Sequence, residues 1–197
     1  MMKLVRCAVV ALMLTPAAGA AQDFDAGLAA AQTGDYATAL QEWRPLAEQG
    51  NARAQSGLGF LYKKGLGVPQ DYAEAVRWYR LAAEQGNAYA QFSLGFIYDF
   101  VNGVTQDYAE AVRWYRLAAE QGNARAQLAL GFLYLMGHGV VQDYVTAHMW
   151  VNIAAANGAD KTAEGRRGVE IFMTPADISK AQRRARVCME SGYQECD

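Results

Sequence analysis

Residues 71–88 read DYAEAVRWYRLAAEQGNA, and residues 107–124 read DYAEAVRWYRLAAEQGNA again. The same Asp-Tyr pair stands at 35–36 and 143–144, so it recurs in steps of 36 residues. Segments 71–106 and 107–142 agree at about three quarters of their positions. Self-similarity at such a period marks stacked supersecondary units, none of which buries its apolar face alone.

Each unit reads as two helices. From Asp71 to Gln85, apolar residues Tyr72, Ala75, Val76, Tyr79, Ala82 and Ala83 return at three- and four-residue spacing, which draws one helical stripe. The stripe is rich in Ala, which lets neighbouring helices approach closely. Gly86 stops the helix, and Asn87 offers a side-chain oxygen to cap the next. Gly50-Asn51 and Gly122-Asn123 repeat that punctuation. A second helix is expected over about 88–98, followed by a link containing Gly65, Gly67 and Pro69 in one copy and Gly137 and Gly139 in another. The Asp that ends each link is placed to cap the following helix.

The motif AxAQxxLGxxY (52–62, 88–98, 124–134), then GxGVxQD, then AxxWYxxAAxxG, resembles the Sel-one-like repeat family, a branch of the tetratricopeptide-like α-solenoids. The likeness covers about 23–158. One link departs from it, where Val101-Asn102-Gly103 replaces GxG. In the family's register the chain divides into an N-terminal helix pair at 21–50, repeats at 51–86, 87–122 and 123–158, and capping helices with a tail at 159–197. The resemblance implies an all-α fold, a right-handed solenoid of helix pairs with a concave groove. It also implies an adaptor for proteins or peptides, with no enzymatic activity and no cofactor.

The terminal units are atypical. Residues 23–32 read as an opening helix that pairs with 35–49, and another helix is expected over about 160–172. Thr174-Pro175-Ala176-Asp177 reads as a helix start, with Thr as cap, Pro at the first helical position and an early acid. That helix should reach about Met189.

Comparing copies separates fixed from variable positions. Gln55/Gln91/Gln127, Leu58/Leu94/Leu130, Gly59/Gly95/Gly131, Phe60/Phe96/Phe132 and Tyr62/Tyr98/Tyr134 never change, which assigns them to core or turns. A mid-helix Gly costs about 1 kcal/mol relative to Ala, so a close helix crossing is expected there. Arg53/Tyr89/Arg125, Ser56/Phe92/Leu128 and Lys64/Phe100/Met136 differ. In tetratricopeptide-like folds this helix lines the groove. Arg53, Tyr89, Phe92, Phe100, Arg125 and Leu128 are therefore the candidate partner-binding set, aromatic anchors flanked by Arg. Drift after duplication, with Phe92 and Leu128 merely packing, is the alternative.

The first residues read as an address. Lys3 and Arg6 precede an apolar run from Cys7 to Leu14, then Pro16 and small residues with an A-x-A pattern at 18–20. This is a signal peptide over 1–20, cleaved after Ala20 or alternatively Ala21, and it implies export to the periplasm or beyond. Loss of its two cations would take the net charge from −2 to about −4. Cys188 and Cys196 then remain, which in an oxidising space points to a disulfide, with a free or redox-active pair as the alternative.

Composition narrows the function. The chain has 197 residues, 52% apolar and 19% charged, with net charge −2. It can build a core, but it lacks the basic excess of a nucleic-acid binder and a membrane-spanning run outside the leader. His138 and His148 lack metal-ligand spacing, and His148 reads as a buried, hydrogen-bonded residue. No Ser lies in G-x-S-x-G, and Gly65-Leu66-Gly67 lacks the third Gly of a phosphate cradle. Cysteine-rich relatives linked to β-lactams carry a Cys pair in each repeat, and this chain does not. Lys180, Arg183, Arg184 and Arg186 are a solvated face or a patch for an anionic polymer. The leading expectation is an exported, monomeric, non-catalytic scaffold with a protein or peptide partner. A binder of an anionic or sugar envelope polymer comes second, and a weak hydrolase of cell-wall or β-lactam substrates third.

Overall fold

Two capping residues alternate along the chain and set its rhythm. In the computed structural model, which describes residues 23–100, 104–160 and 162–196, Asp35, Asp71, Asp107 and Asp143 cap helices α2 (Tyr36–Glu48), α4 (Tyr72–Glu84), α6 (Tyr108–Ala119) and α8 (Tyr144–Ala156). Their carboxylates accept from backbone N–H groups two or three residues on, at 2.9–3.1 Å. Asn51, Asn87 and Asn123 do the same for α3 (Ala52–Lys64), α5 (Ala88–Phe100) and α7 (Ala124–Met136), at 2.9–3.1 Å. These orphan donors of the first turn are what such side chains satisfy. The second helix of each unit runs two residues past the expected Tyr. It ends where a link Gly turns left-handed, at Gly65 (φ 68°) and Gly137 (φ 71°). The expected signal peptide and the Val101-Asn102-Gly103 link lie outside the described residues.

The remaining helices are α1 (Phe24–Thr33), α9 (Thr162–Glu170) and α10 (Pro175–Glu190), and no strand occurs among the described residues. Each helix packs on the next in sequence from α1 to α9, and α10 packs on α8. Contacts also run from α3 to α5, α5 to α7 and α7 to α9. The odd-numbered helices therefore form the inner row of an α-solenoid.

Three interactions recur at each joint. The fixed mid-helix Gly is a close crossing, as expected. A Cβ on Gly59 would lie 2.7 Å from the Tyr79 ring, on Gly95 2.6 Å from Tyr115, and on Gly131 2.6 Å from Val151. The buried Gln ties three helices. Gln55, Gln91 and Gln127 donate to the carbonyls of Ala47, Ala83 and Ala119 at 3.0–3.1 Å, and accept from Gln85, Gln121 and Asn157 at 2.7–2.8 Å. The fixed Tyr accepts from an Arg of the preceding even helix, Arg44 to Tyr62, Arg80 to Tyr98 and Arg116 to Tyr134.

Both ends close with special residues. Trp43 stacks on Phe24, donates to its carbonyl at 3.1 Å, and lies against Gly27 and Gly57. At the other end Thr174 and Asp177 form a capping box, with Pro175 at the first position of α10. Ala181, Ala185 and Cys188 of α10 are buried, and Arg184 donates to Thr146 at 3.0 Å. The sulfurs of Cys188 and Cys196 come within bonding distance, with their Cα atoms 4.5 Å apart. The turn between them carries Tyr193, whose hydroxyl hydrogen-bonds Asn157 at the end of α8.

Candidate functional site

On α5 the side chains of Phe92, Phe96 and Phe100 stand four residues apart, one above the other on a single face. Their rings follow at centroid distances of 6.5 and 5.4 Å, and Phe92 also meets Tyr115 at 5.8 Å. On α7 Arg125, Leu128, Phe132 and Met136 form the matching face. The two faces bound a hollow of about 660 Å³ on the inner row.

The floor of this hollow carries one carboxylate. Asp99 is 4% exposed. Tyr115 donates to it across 3.4 Å, and no other side chain among the described residues hydrogen-bonds it. Burial holds its carboxyl above the usual carboxylate range, and the Tyr115 hydroxyl and nearby His138 pull it partway back. Burial also pushes the Tyr115 phenol far up, so it stays a neutral donor. Gln106 fixes the backbone beneath by donating to the Asp99 carbonyl at 2.6 Å. Tyr108 stacks on His138 at one end, 4.4 Å between ring centroids. Arg125 and Asp160 line the rim.

Phe92, Phe100, Arg125 and Leu128 of the candidate set share this hollow. Arg53 and Tyr89 do not join them. They line a second hollow of about 450 Å³ with Phe24, Trp43 and Phe60. There Arg53 lies over the Phe24 ring at 4.0 Å and beside Asp25 at 3.7 Å. A third, of about 310 Å³, adjoins the first through Phe92, Phe96 and Arg125, and reaches Lys63 and Lys64.

The fixed Phe corrects the assignment of unchanging positions to the core. Phe96 and Phe132 are 39% and 42% exposed and face the hollow, because they lie four residues beyond Phe92 and Leu128. Asp99 was not among the candidates. Its signal was available in the triple Lys63/Asp99/Leu135, where the charge changes sign and then vanishes. His148 is buried, as expected. Its Nδ1 lies 2.9 Å from the Asn152 amide nitrogen and its Nε2 3.0 Å from the Glu170 carboxylate. No group of metal-ligating side chains large enough to hold an ion occurs among the described residues. No described helix is long and apolar enough to cross a membrane.

The model of the Sel1 repeat matches residues 52–87, 88–123 and 124–158, more than half of the chain. The protein belongs to the Sel1 repeat family. Among solved structures it is similar to a Sel1 repeat protein from Oxalobacter formigenes, at 30% identity and TM-score 0.71, over 89% of this chain and 79% of that one. It is also similar to c5321, a protective antigen of uropathogenic Escherichia coli with an SLR fold. That match has 30% identity and TM-score 0.52, over 86% of this chain and only 46% of c5321. No match is found among curated proteins. Sel1 repeat proteins are typically scaffolds for protein interaction and generally not catalysts.

Proposed function

We propose that this Sel1 repeat protein is an exported, non-catalytic scaffold that holds another protein or a peptide against its inner row of helices. One observation carries the reading. Helices α4 and α6 are identical from Tyr72 to Glu84 and from Tyr108 to Glu120, exposed residues such as Ala73 and Arg77 included. Over the same duplication α5 and α7 differ at Tyr89/Arg125, Phe92/Leu128, Ser93/Ala129, Ile97/Leu133, Asp99/Leu135 and Phe100/Met136. Drift would scatter over the exposed faces of both rows. Outside the link, where 101, 102 and 105 also differ from their counterparts, change falls on α5 and α7 alone, and beside the buried exchanges at Ser93 and Ile97 it supplies exposed aromatic side chains of the type that anchor partners.

Export rests on Lys3 and Arg6, the apolar run and the A-x-A pattern, and on the adjacent Cys188 and Cys196. The periplasm is the primary location and secretion the alternative. The scaffold acts as a monomer without a cofactor. A photo-crosslinker at Tyr89 or Phe92, with Arg77 on the outer row as control, tests the groove in the host envelope. One dominant protein adduct at the groove positions alone is the expected result. No adduct, or equal adducts at all three, refutes it. Lys180, Arg183 and Arg186 are exposed on α10 and favour the second reading, an anionic polymer. Retention that weakens steeply with salt and survives Phe92→Ala would select that reading.

A further inference from the structure

The Asp99 carboxylate is out of place for a purely structural residue. It is nine-tenths buried, yet it opens onto a hollow walled by aromatic side chains. A carboxylate taken from water needs several donors or a cation, and among the described residues this one has a single 3.4 Å contact with Tyr115. Arg125 lines the same hollow but forms no ion pair with it, and a second carboxylate, Asp160, stands at the rim. The lining thus holds two carboxylates against one guanidinium and the His138 imidazole. The phenyl rings around it attract cations through their faces, most strongly where water is excluded. The molecule already shows the pairing next door, where the Lys63 ammonium lies 5.7 Å from the centroids of both Phe96 and Tyr79.

We infer that this hollow takes a lysine or arginine side chain of a bound peptide, seated among Phe92, Phe96, Phe100 and Phe132 and paired with Asp99. The inference rests on the reading of the inner row as a peptide groove. A peptide is the occupant, rather than a free amine, because the hollow continues past Phe92, Phe96 and Arg125 into its neighbour and leaves room for flanking residues. Those flanking residues are apolar, to match exposed Phe100 and Met136.

The test is selection of a displayed random dodecapeptide library on the purified protein, then fluorescence anisotropy on the enriched peptides. Enrichment of lysine or arginine beside apolar residues is expected. Affinity should fall about ten- to a hundredfold when the basic residue becomes norleucine, and equally for Asp99→Asn. The two changes together should cost little more than either alone, because both remove one interaction. The norleucine peptide needs no variant protein, so the pairing is tested even if Asp99→Asn is poorly folded. Peptides that require Phe100, carry no basic residue and ignore Asp99→Asn would overturn this inference and leave the groove reading intact. Failure to enrich any peptide sensitive to Phe100→Ala would remove both.

Discussion

Gly95 and Gly168 both sit inside helices, and replacing each by Ala should move stability in opposite directions. Intrinsic propensity treats them alike. Ala in place of a helical Gly gains about 1 kcal/mol, wherever the site is exposed and unstrained. Gly168 in α9 meets that condition, because a Cβ there would touch nothing within 4 Å. A gain of about 0.5–1 kcal/mol is expected, which in a chain of this size raises the Tm by about 1–4 °C. Gly95 does not meet it. Its Cβ would stand 2.6, 2.7 and 2.8 Å from three ring atoms of Tyr115. Tyr115 is 1% exposed and held between α5, Phe92 and Asp99, and the clash reaches its Cγ, the fixed base of the ring, so swinging the ring toward the hollow does not relieve it. Either α5 or α6 must retreat, and overpacking of this kind costs about 1–3 kcal/mol. Set against the propensity gain, it leaves a net loss of up to about 2 kcal/mol, or up to about 8 °C in Tm. Thermal unfolding followed by circular dichroism measures both variants. If Gly95→Ala were as stabilising as Gly168→Ala, the close-crossing argument would be wrong, and the fixed glycines would need another explanation.

Gln91→Ala removes the bonds to Ala83 and from Gln121 and leaves a cavity, for a loss of about 2 kcal/mol. Gln121→Ala, at the exposed end of the same ladder, should cost under about 1 kcal/mol, and equal losses in urea titration would refute the ladder. Replacing Cys188 and Cys196 together by Ser opens a loop of sequence separation 8 and should cost about 2–3 kcal/mol in the chain-entropy model. Two reactive thiols in the unfolded, unreduced protein would show that the bond does not form. Asp99→Asn should be at least as stable as the parent at neutral pH. Its raised carboxyl binds a proton more tightly folded than unfolded, so its stabilising share is complete at acid pH and is lost as pH rises through the raised value. Tyr115, His138, Arg125 and Asp160 share that hollow and stay in both proteins, so the difference between the two pH profiles isolates Asp99. A parent that gains on the variant as pH rises would refute the assignment.

Local chemistry was readable from the sequence because it acts over a few residues. Asp and Asn caps, the Gly stops and the Thr174-Pro175 start depend on neighbours within one turn, and they appear where the spacing puts them. The close crossings at Gly59, Gly95 and Gly131 were inferable from cost alone, since a repeated mid-helix Gly needs compensation. What periodicity lacks is the identity of the covering helix. The phase of Phe96 places it beside Phe92 but does not say whether another layer lies above them, and among the described residues none does. The same gap hides the split between Arg53 and Phe100, which share a helix row but face different neighbours. Gly27 and Gly57 were not expected around Trp43, because that contact belongs to the atypical end, where no second copy exists for comparison.

The joints also explain why the inner row is free to vary. Each unit is held to the next by a Gly against a ring or Val, a Gln ladder and an Arg–Tyr bond, and none of these uses positions 89, 92, 100, 125 or 128. Tyr89 and Phe92 do pack on the joint rings Tyr79 and Tyr115, whereas positions 100, 125 and 128 touch no joint, so there partner choice and fold stability are carried by different residues of the same helices. Asp99 breaks that separation. The matching place holds Leu135 in the next unit, where Val151 stands in place of Tyr115. A buried carboxylate to which the described residues bring one weak donor costs stability instead of adding it. Neutral drift populates positions where a change is free. A buried carboxylate lining a hollow of the inner row is not such a position, and a ligand that supplies positive charge accounts for it.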